Sequence, residues 1–149
     1  MGHLKLHLEP DGDGTGELFA SFESNGFSGN GSAWFDLTTL AEIAKQFEQY
    51  PLPSTPPVCI SGGYWQNNNP PVLKNELLHV SAYPINSRGG IGVHVRVAHE
   101  FVTTENRLSM HSAAGELKAS YEQMKAFSKS LIALTREEVA EVVLDEKDA

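Results

Sequence analysis

Leu77-Leu-His-Val-Ser-Ala-Tyr83 and Ile91-Gly-Val-His-Val-Arg-Val-Ala98, joined by the short connection Pro84–Gly90, read as two paired strands. Side chains along a strand alternate faces with period two. Leu78, Val80 and Ala82 therefore share one face, and His79, Ser81 and Tyr83 the other. In the returning segment Ile91, Val93, Val95 and Val97 alternate with Gly92, His94 and Arg96. A turn centred on Ser87–Arg88 sets Val80 opposite Val95 and His79 opposite Arg96. The result is a hairpin with one aliphatic face and one face of His79, Tyr83, His94 and Arg96.

Segments on either side of the hairpin show the same alternation. Leu4, Leu6 and Leu8 mark a first strand, closed by the turn Asp11-Gly-Asp-Gly-Thr-Gly16. Glu17–Ser24 is a second strand. Asn25-Gly26, a strong hairpin signal, leads into a third at Phe27–Phe35. Val58–Trp65 is a strand bent at Gly62-Gly63, Gln66–Pro71 a polar loop, and Phe101–Ala113 a further strand. Between the third and fourth strands the period changes. Leu37, Leu40, Ile43, Ala44 and Phe47 lie on one face of a helix. Asp36, Thr38 and Thr39 are candidate caps, Thr39 with Glu42 reads as a capping box, and Tyr50-Pro51 closes the element. Tyr121, Met124, Phe127, Leu131 and Leu134 mark a second helix capped by Ser120. Thr135–Glu138 reads as another capping box, leading into a helix through Val139, Val142 and Val143. No repeat of fixed period is present.

These elements predict a single domain spanning residues 1–149. Its class is α+β: a mainly antiparallel, curved sheet of six to seven strands, with one inserted helix and C-terminal helices on its aliphatic face. Residues 137–149 are expected to form an acidic C-terminal helix or tail.

Charge narrows the partners. The chain has 149 residues and a formal net charge of −8. A negative surface opposes nucleic acid and anionic membranes and favours a basic protein. No apolar run reaches the roughly 20 residues that a membrane-spanning helix needs. With no leader-like start and a single cysteine, Cys59, a cytoplasmic location is expected. Cys59 itself reads as a small buried hydrophobe.

The chemical motifs are mostly excluded by spacing. Asp11, Asp13 and Thr15 open like a calcium loop, but Phe22 stands where a bidentate glutamate belongs. Asn25–Gly31 lacks the Gly-Lys-Ser/Thr ending of a phosphate loop. His94 and His99 point to opposite faces, and a site built from His79, His94 and His111 has no acidic ligand at a predictable position. No metal and no cofactor is expected. Tyr64, Trp65, Trp34, Tyr83, Arg96 and Arg107 are the residue types that dominate protein interfaces, although Trp34 is expected in the core.

The segments Gly26–Phe35, Tyr50-Pro-Leu52, Ser61-Gly-Gly-Tyr-Trp65 and Tyr121–Phe127 resemble a family of small uncharacterised bacterial proteins. Some of its members are similar to immunity proteins that neutralise contact-dependent or polymorphic toxins. The resemblance transfers no catalytic residue and implies a binding protein. The leading expectation is therefore an immunity protein that occludes the active site of a toxin, with a basic nuclease domain as partner. Glu17, Glu23, Glu100 and Glu105 are candidate acids for that contact. The alternative is a small enzyme or ligand-binding domain using His79, Tyr83, His94, Arg96 and His111.

Overall fold

The structure is a computed structural model that describes residues 2–66, 72–99 and 111–147. The described elements run in order β1 (His3–Pro10), β2 (Thr15–Ser24), β3 (Phe27–Asp36), α1 (Leu37–Gln46), β4 (Val58–Gln66), β5 (Val72–Pro84), β6 (Gly90–His99), β7 (His111–Ser120), α2 (Tyr121–Thr135) and β8 (Val142–Asp145). The class is α+β, but the strands form two four-stranded antiparallel sheets in place of one curved sheet. Their orders are β3-β2-β1-β8 and β4-β5-β6-β7.

This order makes the sheets topological copies. Each half of the chain is a three-strand meander, a helix and a final strand. That final strand leaves its own meander and pairs with the first strand of the other. Equivalent rows run across the sheets. Gly31, Ala20, Leu6 and Val142 are successive partners in the first. Gly115, Val95, Val80 and Ile60 are their counterparts in the second. The two halves have no common period because their connections differ in length, from Asn25-Gly26 in one to residues 100–110 in the other.

Close approach of the sheets explains the paired glycines. A Cβ on Gly31 would lie 3.0 Å from Cβ of Val97, and one on Gly115 would lie 2.7 Å from the Phe22 ring. Both halves contribute to one apolar core, which includes Leu4, Leu18, Ile60, Val80, Val93 and Leu117. α1 and α2 pack together over it, with the Phe47 and Phe127 rings edge to face at 5.5 Å.

Local chemistry sets the element ends. Asn25 and Gly26 both have positive φ, as the tight β2–β3 turn requires. Asp36 caps α1, accepting the Thr39 N–H, so the predicted box starting at Thr39 gives way to an earlier cap. Helix α1 also ends before Tyr50, at Gln46. Ser120 and Gln123 form a reciprocal capping box on α2. The predicted helix beyond Thr135 is replaced by a turn and β8. Val142 and Leu144 of β8 are buried, while Val143 is exposed. Pairing with β1 outweighs the helical spacing of Val139, Val142 and Val143. Of the strand predicted over Phe101–Ala113, residues 101–110 lie outside the described residues.

Candidate polar site on the second sheet

The hairpin takes the register its alternation predicts. Val80 pairs with Val95 and His79 with Arg96. His79, Tyr83, His94 and Arg96 therefore share the outer face of the second sheet, with the aliphatic set against the core. Cys59 and Ser61 of β4 join them opposite Ser81 and His79, and Glu116 of β7 joins them opposite His94.

Glu76 also reaches this face, and a backbone irregularity puts it there. Gly62 pairs with Leu78 but Gly63 with Glu76, so Leu77 is the extra residue of a bulge. Upstream of Leu77 the alternation is inverted, and Glu76 falls on the side of His79. Gly63 is required for this: a Cβ there would meet the Asn75 carbonyl oxygen at 1.9 Å.

Glu76 organises one half of the face. Its Oε2 accepts from the Ser61 hydroxyl at 2.5 Å and lies 3.1 Å from Nδ1 of His79. With Nδ1–H donated to Glu76, Nε2 of His79 is free to accept from the Ser81 hydroxyl at 3.0 Å. Arg96 donates through Nη1 to the Glu76 carbonyl oxygen at 3.2 Å, and the same nitrogen lies 3.9 Å from Oε1. The second half is built on Glu116, which accepts a hydrogen bond from the Tyr83 hydroxyl and lies 3.9 Å from Nδ1 of His94. The His79 and His94 rings, edge to face at 5.8 Å, join the halves.

Two groups are tuned by this setting. Cys59 is half-buried beside His79, with Sγ 3.4 Å from Nδ1, and is not the core residue expected of it. Burial, and then the Glu76 charge, push its thiol up to about 11. The hydrogen bond to Glu116, followed by burial and the Glu116 charge, pushes the Tyr83 phenol up to about 12. Ser81 is only 4% exposed. The outer parts of the network, by contrast, meet solvent: the His94 and Glu116 side chains are 40% and 43% exposed.

The remaining candidates lie elsewhere. His111 pairs with His99 at the far end of β6 and β7, on the core-facing side of the alternation. There both histidines line a cleft with Ser28 and Asn30 of β3. The sheet thus separates His111 from His79 and His94, which rules out the three-histidine grouping. Among the described residues no group of three or more His, Cys, Asp or Glu side chains is placed to hold a metal. Tyr64 is 56% exposed beyond the bulge, apart from the network, and Trp34 is not in the core but exposed on β3, on the opposite face from the buried Ala33 and Phe35. Arg107, Glu100, Glu105 and the side chain of Trp65 lie outside the described residues. Glu17 and Glu23 are on the first sheet. Among the described residues no helix is long and apolar enough to cross a membrane.

Comparison with protein-family models, curated proteins and solved structures finds no match in any of the three. The class rests on the fold and the face: an α+β protein of two strand-exchanged antiparallel sheets, one carrying a hydrogen-bonded acid, histidine and arginine network on its outer side.

Proposed function

We propose that this chain is a binding protein of the immunity type, which docks the outer face of the second sheet on a basic protein such as a toxin nuclease and occludes its active site. The observation that carries this reading is the state of the network. Its carboxylates are held by their own neighbours yet remain open to solvent, so they can accept further hydrogen bonds from a partner's Arg or Lys without rearranging. Preorganised, partly exposed polar groups around a tyrosine favour recognition, because little ordering is left to be done on binding. The net charge of −8 supports a cationic partner and a fast encounter with it.

A second reading has one specific observation behind it. Glu76, His79 and Ser81 are connected in the order acid, base and hydroxyl, at 3.1 and 3.0 Å. Such a relay can activate a nucleophile. Two features favour the binding reading over it. The Ser81 hydroxyl lies beneath the face, and the neighbouring thiol is held as the neutral, unreactive form.

Affinity capture from a lysate of the source organism, followed by a purified binding assay, tests the proposal. The wild-type chain should hold a basic protein that Glu116→Lys loses. Equal capture by both chains, or capture of acidic proteins only, would count against it.

A further inference from the structure

The outer face of the first sheet occupies the positions equivalent to the candidate site but carries different chemistry. Ser32, Phe19 and His7 stand where the second sheet has Glu116, His94 and Ser81. Asn30, Ser21 and Lys5 stand where it has Ala114, Arg96 and His79. A cavity of about 330 Å³ opens there, at the small end of the range for ligand sites. Its lining includes Lys5, His7, Phe19, Ser21, Asn30 and Glu141.

We infer that this cavity is a binding site for a neutral pyranose sugar. The His7 and Phe19 rings are stacked with centroids 4.6 Å apart, so each covers one face of the other and keeps one outer face for a ligand. Among the described residues the side chains of Lys5, Ser21 and Glu141 have no hydrogen-bond or ion-pair partner, so two donor groups and a carboxylate acceptor line the space unpaired. A wholly apolar ligand would desolvate Lys5 and Glu141 without replacing their hydrogen bonds. A polyanion would meet Glu141 and the net charge of −8. A pyranose satisfies both requirements. Its C–H face lies on the outer face of the stacked ring pair, and its hydroxyls both donate and accept at the rim. The second sheet differs in that its equivalent groups are bonded to one another.

Amide NMR titration tests the inference, using methyl glucopyranoside, methyl galactopyranoside, N-acetylglucosamine and sodium glucuronate as probes. At least one neutral pyranoside should shift the amides of Lys5, Ser21 and Gly31 saturably, with a dissociation constant in the millimolar range. His7→Ala and the shape-sparing Phe19→Leu should each weaken that binding about tenfold, while Lys129→Ala on α2 leaves it unchanged. Three outcomes would overturn the inference: no saturable shift from a neutral pyranoside up to about 100 mM, shifts from glucuronate alone, or binding that survives both ring variants. The site is on the opposite sheet from the proposed docking face, so its failure leaves the protein-binding reading standing.

Discussion

The Ser128 hydroxyl donates a 2.7 Å hydrogen bond to the Ala44 carbonyl oxygen, joining α2 to α1 in the buried core. The two residues hold equivalent places. Each is the same number of positions beyond its helix cap, Asp36 for α1 and Ser120 for α2. The contact therefore sits where the two halves of the fold meet themselves. Ser128 is fully buried, so its hydroxyl depends on this acceptor. Ser128→Ala should lower the unfolding free energy by about 1 kcal/mol, read as a reduced urea midpoint at unchanged slope. No loss would mean that the helices are held by apolar packing alone.

The facing glycines make a sharper test of how the sheets meet. Gly115→Ala places a methyl group against the Phe22 ring, and Gly31→Ala places one against Val97. Overpacking of this kind costs about 1–3 kcal/mol. Thermal melts of both variants should show comparable losses, because the two contacts are counterparts. A variant as stable as the wild type would indicate sheets further apart than described.

Much of this was legible from the alternation of Leu77–Ala98, including the pairing of His79 with Arg96. Period two fixes which side chains share a face whenever the turn is short. It does not say which strand lies alongside, so the meanders read as one sheet and the exchange of β4 and β8 stayed hidden. Val142-Val143-Leu144 is too short for its alternation to compete with the helical spacing before it. Glu76 was missed because the bulge at Leu77 inverts the pattern, although Gly62-Gly63 had marked the bend. Glu116 was missed because it lies beyond the point where the predicted strand stopped. The net charge, read from composition alone, carried no information about where on the surface the carboxylates gather.

Cys59 provides a chemical reading of the face. With its thiol pushed up to about 11, the thiolate fraction near neutral pH falls about a hundredfold below that of a free cysteine. Labelling by iodoacetamide at pH 8 should be slower in the folded chain than in urea by at least that factor. Glu76→Gln removes the neighbouring charge and should speed labelling of the folded form. Equal rates in folded and unfolded chains would contradict the placement of Cys59.

Tyr83 predicts an alkaline signature. Its folded pKa lies above the unfolded value near 10, so the stability it adds is present below pH ~10 and drains away as pH climbs towards about 12. The ultraviolet titration difference between wild type and Tyr83→Phe should therefore show a phenol ionising near 12. A midpoint near 10 would mean that the hydrogen bond to Glu116 is not held in solution.

The outer face of the second sheet is the proposed docking surface. It is tested by hydrogen exchange of the chain, free and mixed with the basic protein proposed as its partner. Protection is expected at β5, β6 and β7 around His79, His94 and Glu116, with the outer face of β1 and β2 unchanged. Glu116→Lys should abolish that protection. Protection confined to the first sheet or the helices, with Glu116→Lys binding as well as wild type, would rule out this face as the docking surface.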